Sequence, residues 1–200
     1  MQFFVVDLEF SGFVPGHHEI LEIGAVALDG EYAVREEWQA RVAAEHPEWA
    51  SEWVQAHQAH LLKGGAPLAE TIPAFVRWVE ALRGEDTAYY VGWTCGADLA
   101  HLETAFRGCG LESPFHYRHI ELNSVVIGRL GLPWDYDHSV ARRLLGVRGA
   151  GSHVALADAQ EAAAVFQAVM RWPIVAPESI PEAPATSAPA EGGEPAPSAS

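Results

Sequence analysis

Residues 3–12 read FFVVDLEFSG and combine a buried strand with two acidic side chains. A short run of aromatic and β-branched residues that ends at the breaker pair Ser11-Gly12 is typical of a strand inside a sheet. Side chains alternate between the two faces of a strand, so Asp7 and Glu9 share one face while Leu8 points the other way. Two anions on one face of a buried strand need a partner.

The segments beyond this strand alternate between strand and helix patterns. Strands are predicted at 19–28, 31–42 and 87–93, with Asp29-Gly30 as a two-residue hairpin turn. Helices are predicted around Trp53, from an N-cap at Thr71 to about Gly84, from Asp98 to about Gly108, after a strand and a cap at Asn123 or Ser124, over 139–145, and over about 153–172. Hairpins followed by alternating helices and strands predict an α/β domain with a mixed sheet flanked by helices.

The composition divides the chain into two parts. Of its 200 residues, 49% are hydrophobic and 20% are charged, which is enough apolar material for one folded domain, assigned to residues 1–172. Residues 173–200 contain seven prolines, four glutamates and no basic residue, and we expect them to form a disordered acidic tail.

The charge and the hydropathy of the chain restrict its partners. The formal net charge is −15, and removing the four glutamates of the tail still leaves about −11 on residues 1–172. Such a domain should not bind long duplex DNA through a broad basic surface. No apolar run approaches the ~18 residues of a membrane span, and no cleavable leader pattern opens the chain, so we expect a cytoplasmic location without a membrane partner.

Two further acids occupy positions where apolar residues are expected. Asp98 follows the strand at 87–93 and begins a helix, and Asp158 lies on the same helix face as Ala162 and Val165. A helix-capping role for Asp98 is the ordinary alternative, as protection of an edge strand against aggregation is for the first two acids.

Convergence of these acids would require a cation. Two like charges ~4 Å apart repel by roughly 4 kcal/mol at an effective dielectric constant near 20. Lys63 is the only lysine, and no arginine lies within five residues of Asp7, Glu9 or Asp98. All-oxygen ligation favours Mg²⁺ or Mn²⁺ over zinc.

The ordered set of motifs resembles the DEDDh group of 3′-to-5′ exonucleases. DLEFSGF is similar to the DxExTGL start of that family, ILEIGAV to its second strand, and HVALADA to its HxALxDA motif; together the motifs cover about residues 1–170. His153 stands five residues before Asp158, and Val154 takes the position where the sister group has a tyrosine, so the resemblance is to the histidine type. One departure is Ala97, where the family usually has an aromatic residue before the middle aspartate. Asp98 is preferred to Asp86 for that motif because Asp86 precedes its strand.

The resemblance implies an RNase H-like fold, a mixed five-stranded sheet flanked by helices, and it implies roles for individual residues. Two Mg²⁺ or Mn²⁺ ions would be held by the four acids, namely Asp7, Glu9, Asp98 and Asp158. His153 would take the proton from the attacking water, helped by a flexible glycine-rich loop at 146–152. The end of the nucleic acid strand would be held by Phe10, Ser11, Gly12 and Phe13. Ordinary core packing is the alternative for Phe13.

We therefore expect a metal-dependent 3′-to-5′ exonuclease that releases nucleoside 5′-monophosphates from single-stranded or short nucleic acid, with a slight preference for RNA. A DNA-directed proofreading or repair exonuclease and a catalytically silent nucleic-acid-binding adaptor of the same fold are the alternatives. An acidic metal-binding structural protein is a third. A homodimer is left open by the sequence.

Overall fold

The computed structural model describes residues 1–149 and 152–173. Its strands are β1 (Gln2–Phe10), β2 (Ile20–Leu28), β3 (Val34–Arg41), β4 (Ala88–Gly92) and β5 (Ile120–Glu121). Its helices are α1 (Glu52–His57), α2 (Leu68–Arg83), α3 (Gly96–Gly108), α4 (Leu122–Leu130), α5 (His138–Leu145) and α6 (Ala155–Arg171), with a 3₁₀ turn at Pro47–Trp49. The predicted tail, apart from Pro173, lies outside the described residues, and so do residues 150 and 151 of the predicted flexible loop.

The strands form one mixed five-stranded sheet in the order β3-β2-β1-β4-β5. β2 runs antiparallel to both β1 and β3, whereas β4 runs parallel to β1 and β5 runs parallel to β4. The prediction of an α/β domain with a mixed five-stranded sheet flanked by helices is confirmed.

β1 lies at the centre of the sheet and is apolar on both faces. Phe4, Val6 and Leu8 pack into the core beneath α2 and α3. Phe3 and Val5 pack into a second core with α4 and α6. Since side chains alternate along a strand, Asp7 and Glu9 continue the face that α6 covers.

The parallel pairing of β1 with β4 places the middle acid near the first two. The paired residues run from Gln2 with Ala88 to Val5 with Val91, so the carboxyl ends of both strands reach the same edge of the sheet. Asp98 lies in the first turn of α3, directly after β4. Ligand sites in sheets of this kind form at that edge.

The turn between β2 and β3 differs from the prediction. The strands separate after Leu28 and rejoin at Val34, so the loop is longer than the predicted two-residue turn at Asp29-Gly30. The side chain of Asp29 accepts hydrogen bonds from the backbone N–H groups of Glu31 and Ala33, both at 2.9 Å. This side-chain acceptor organises a wider loop, which a two-residue pattern does not anticipate.

Three predicted helix starts also differ. α2 begins a turn before Thr71, whose hydroxyl donates to the carbonyl of Pro67 at 3.0 Å instead of capping the helix. Neither Asn123 nor Ser124 caps α4, because the Glu121 side chain accepts from both of their N–H groups. The last helix begins at Ala155, and His153 precedes it. For α2 and α4, the acceptor for the first turn comes from a residue other than the predicted cap.

Among the described residues, no helix combines the length and the apolar character that a membrane crossing requires. Cys95 is buried and Cys109 is partly buried, and both are free cysteines.

Candidate active site

A cleft of about 480 Å³ opens at the carboxyl end of β1. β1 contributes Asp7 and Glu9, and the approach to α6 and its first turn contribute His153 and Asp158. The remaining lining residues come from β1 itself, from the loop after it and from the segment around α1: Leu8, Phe10, Gly12, Phe13, Ser51, Trp53, Val54 and Gln58. Segments far apart in the chain thus meet at one edge of the sheet.

Three predicted site residues lie within reach of a single ion. One potential ligand atom from each of Glu9, His153 and Asp158 falls within 4.8 Å of the other two. Asp158 is held by the residue before the histidine, because the N–H and hydroxyl of Ser152 donate to its Oδ1 at 2.8 and 3.2 Å. The backbone that carries His153 is therefore tied to the acid beside it.

Glu9 is buried and has one strong polar partner. The amide of Gln58 donates to Glu9 Oε2 at 2.6 Å. Burial raises the pKa of the Glu9 carboxyl, while the Gln58 hydrogen bond and the charge of His153 act in the opposite direction. Gln58 fixes one oxygen of Glu9 and leaves the other free for a ligand.

The carboxyl of Asp7 has a strongly raised pKa. Burial, followed by the charges of Asp98, Asp158, Glu9 and Glu22, raises its pKa from 3.8 to about 9. A carboxyl with such a pKa holds a proton at neutral pH unless a cation replaces it.

Asp98 is not among the residues that line the cleft. Its side chain is 7% exposed, and burial together with the charge of Glu9 raises its pKa from 3.8 to about 7. The alternative acid, Asp86, is exposed and pairs with the amino group of Met1 at 3.1 Å, at the start of β4. Asp98, and not Asp86, therefore lies near Asp7 and Glu9, and its role as the middle acid stays a prediction.

His153 occupies an unusual backbone conformation at the mouth of the cleft. Its φ is 52°, a left-handed value that is uncommon for residues other than glycine. Its exposed ring meets the indole of Trp53 edge to face, with 5.6 Å between the centroids. Strained backbone of this kind persists where surrounding structure determines it, and it is enriched at functional sites.

The residues predicted to hold the end of the nucleic acid lie at the end of β1 and in the loop after it, and they are of two kinds. Phe10, Gly12 and Phe13 line the cleft, and Phe13 is 80% exposed, so the core-packing alternative for Phe13 is wrong. Ser11 is fully buried and structural, because its hydroxyl accepts from the N–H of Glu19 at 2.8 Å. A side chain at Gly12 would meet the His18 ring at 2.5 Å, so this position accepts only glycine without rearrangement.

Gln58, Trp53 and Glu22 are three residues of the site that the sequence analysis did not assign to it. Trp53 and Gln58 belong to the Trp- and His-rich segment between β3 and α2, which has no regular period. Glu22 stands within the apolar run of β2 and pairs across the sheet with Glu9. An acid in an apolar strand was a visible signal, whereas Trp53 of α1 and Gln58 directly after it had none.

The donor set fits divalent cations. The cluster offers carboxylate oxygens beside one imidazole nitrogen, and Asp7 and Asp98, whose pKa values are raised to about 9 and about 7, interact with its acids. Hard oxygen ligands suit Mg²⁺ and Mn²⁺, and a cation would offset the mutual repulsion of the carboxylates.

Comparison with known proteins identifies the family of the chain. The model of the exonuclease family RNase T matches residues 4–166. An oligoribonuclease from Cutibacterium acnes is 25% identical over 179 residues, covering 84% of this chain and 82% of that protein.

Solved structures share the fold at low identity. The nuclease domain of 3′hExo, a DEDDh family member bound to rAMP, has a TM-score of 0.70 at 15% identity and covers 84% of this chain and 91% of its own. Escherichia coli exonuclease I in a complex with single-stranded DNA has a TM-score of 0.60 at 16% identity and covers 84% of this chain and 40% of its own.

The family match spans the sheet, the cleft and the helix that carries the last acid. The chain therefore belongs to the RNase T family of exonucleases and, within it, to the DEDDh group of 3′-to-5′ exonucleases.

Proposed function

We propose that this exonuclease is metal-dependent and that the cleft at the end of β1 is its active site. The observation that carries the proposal is the convergence of Glu9, His153 and Asp158 within 4.8 Å, with Asp7 in the same cleft. Asp7, Glu9, Asp98 and Asp158 would hold two Mg²⁺ or Mn²⁺ ions. Bound there, the ions would supply a water of lowered pKa and would stabilise negative charge on the departing 3′ oxygen.

His153 acts as the general base in this proposal. It accepts the proton of the attacking water while the water oxygen bonds to phosphorus and the bond from phosphorus to the 3′ oxygen breaks. The product is a nucleoside 5′-monophosphate. The bonds from Ser152 to Asp158 and the edge contact with Trp53 support this role, since both restrain the position of the ring.

Aromatic side chains position the end of the strand. Phe13 is exposed on one part of the cleft and Trp53 is half-exposed on another, so each can stack on a base. Gly12 allows the substrate backbone to approach closely because it carries no side chain.

RNA is the preferred substrate in this proposal, and single-stranded or short molecules are favoured over duplexes. Two similar proteins support the preference for RNA. One is the oligoribonuclease, and the other is a 3′-exonuclease that recognises a histone mRNA stem-loop. The exonuclease I complex with single-stranded DNA keeps a DNA-directed enzyme as the second candidate. The net charge of −15 supports a locally held single strand.

The test is degradation of 5′-labelled single-stranded RNA and DNA of one sequence, with Mg²⁺, with Mn²⁺ or with a chelator. We expect a ladder that shortens from the 3′ end with either metal, faster on RNA, and none with the chelator. Asp7→Ala should abolish it, and His153→Ala should lower kcat by about 10²-fold or more, the usual contribution of a general base.

The control is His119→Ala, which removes an exposed histidine outside the cleft and should leave kcat within about threefold, as for a surface change. Degradation that persists with the chelator, or that is unaffected by Asp7→Ala, would contradict the proposal. Faster degradation of DNA would select the second candidate.

A further inference from the structure

Glu22 is a buried acid beside the site that no proposed step uses. It is 4% exposed, lies on β2 and pairs directly across the sheet with Glu9. Both of its carboxylate oxygens are engaged: Oε1 accepts from the Gln39 amide at 2.8 Å, and Oε2 accepts from the backbone N–H of Ala155 at 3.2 Å. Its partners lie on β3 and α6, and it is absent from the group of potential ligands within 4.8 Å.

The amino end of α6 lacks a cap of its own. Its N-cap residue is Val154, and no side chain of the local sequence bonds the first turn there. The first N–H groups of a helix need acceptors, and an anion at this end also interacts favourably with the helix dipole. The Glu22 carboxylate, which lies on β2, supplies a hydrogen-bond acceptor to the N–H of Ala155 and a negative charge at this end of the helix.

This cap lies close to two residues of the proposed active site. Asp158 belongs to the first turn of α6, and His153 stands two residues before Ala155. Gly24, two residues along β2 and on the same face, is so close to α6 that an added Cβ would lie 2.2 Å from the backbone of Ala155 and Leu156. β2 therefore holds the start of α6 by one hydrogen bond and one close contact, opposite Glu9 and Asp7.

We propose that Glu22 is a positioning residue that caps α6 from β2 and so sets His153 and Asp158 against the acids of β1. This role rests on the proposed function of the cleft. The alternative role, a direct metal ligand, is disfavoured because both Glu22 oxygens already accept hydrogen bonds.

The test compares Glu22→Ala, Glu22→Gln and the control Glu37→Ala. Glutamine keeps an oxygen that can accept from Ala155, whereas alanine removes it. Glu37→Ala removes the same charge and an exposed contact to the same helix, since the Gln160 amide donates to Glu37 Oε2 at 2.8 Å. Three quantities are measured: hydrogen exchange of amides 155–158 without metal or substrate, Mn²⁺ affinity, and kcat and KM on single-stranded RNA.

In Glu22→Ala we expect these amides to exchange about fivefold faster or more, as for loss of a helix cap. We also expect kcat to fall about 10- to 100-fold from misplacement of the base, with KM within about threefold. Glu22→Gln should stay within about threefold of the wild type in exchange, Mn²⁺ affinity and kcat, since the acceptor is kept. Glu37→Ala should match the wild type.

Unchanged exchange in Glu22→Ala, or faster exchange with unchanged kcat, would overturn the proposal. So would a Glu22→Gln protein as defective as Glu22→Ala, which would point to a metal ligand. If Glu22→Ala does not fold, Glu22→Leu fills the volume without accepting a hydrogen bond and gives the same readout. The exchange measurement does not depend on nuclease activity, so the two proposals can fail separately. If the wild-type protein is inactive but amides 155–158 exchange faster only in Glu22→Ala, the proposed function is wrong while Glu22 still caps α6.

Discussion

At the scale of single residues, the site is defined by carboxyls whose surroundings favour the neutral form. Burial is the largest cause for both Asp7 and Asp98, whose pKa values are raised to about 9 and about 7. Carboxyls whose ionisation is unfavourable in free energy are characteristic of functional sites that bind a cation or a proton. The same acids that favour metal binding therefore destabilise the protein when the metal is removed at high pH.

The pH dependence of stability follows from these shifts. A carboxyl whose folded pKa is raised stabilises the fold at pH below its unfolded value, near 4, and this contribution is lost as the pH rises through the folded value. Without metal, the free energy of unfolding should fall between about pH 4 and pH 9 as Asp98 and then Asp7 ionise. Asp98→Asn should remove the part of this loss that accumulates between about pH 4 and pH 7, so above pH 7 the metal-free variant should be more stable than the wild type.

The measurement is thermal unfolding from pH 5 to pH 9 with a chelator and again with Mg²⁺. Mg²⁺ should stabilise the wild type most at high pH and should stabilise Asp98→Asn less. Asp86→Asn is the matched control, because Asp86 is exposed at the far end of β4 and its pKa is lowered rather than raised. A wild-type protein whose metal-free stability rises from pH 5 to pH 9 would contradict the assignment.

At the scale of secondary-structure elements, the docking of α6 on the sheet determines whether the acids meet. α6 packs across β2 and β1, and its first residue sits directly over Gly24. Gly24 is paired with Asp7 across the sheet. The separation between the acids of β1 and the acid of α6 therefore depends on a position without a side chain.

Gly24→Ala should displace the start of α6 from β2. Overpacking a rigid contact costs about 1–3 kcal/mol, and here the obstacle is backbone at 2.2 Å that cannot rotate away. We expect a lower free energy of unfolding by chemical denaturation and weaker Mn²⁺ binding. The control is Gly30→Ala, where the added Cβ would be 3.6 Å from the nearest atom, and it should behave like the wild type. Equal stability and metal affinity in the two variants would contradict this account of α6 docking.

At the scale of the whole molecule, both cores and the proposed site belong to residues 1–173. One core lies between the sheet and α2 and α3, and the other lies beneath α4, α5 and α6. The acids of the cleft belong to a protein whose net charge is −15, so approach of an anionic strand is opposed except near the cations that the cleft would hold.

Removal of residues 174–200 should leave the domain folded and active. The truncated protein should keep its thermal midpoint within about 2 °C, a shift below that of a typical 1 kcal/mol change. At low salt its KM for RNA should be equal or slightly lower, because four negative charges are removed. Steady-state kinetics and thermal unfolding of both forms check this, and lost activity or a large drop in the midpoint would show that the segment contributes to the domain.

Elements whose signals are local could be located from the amino-acid sequence. The period of two in β1 placed Asp7 and Glu9 on one face, and the apolar runs located β2 and β4 to within a few residues. The order of the acidic motifs indicated the family, which the comparisons confirm. The assignment of individual catalytic and metal-binding roles stays a prediction.

Contacts between elements far apart in the chain could not be predicted from the sequence and are seen only in the folded protein. Gln58 bonds Glu9 across 49 positions, and Glu22 caps Ala155 across 133. The starts of α2 and α4 were mispredicted for the same reason that these contacts were missed: a backbone N–H accepts any well-placed oxygen, and a local pattern names only the nearest candidate. Strand periodicity is a property of a few consecutive residues, whereas a cap, a ligand set or a close approach depends on where the whole chain folds.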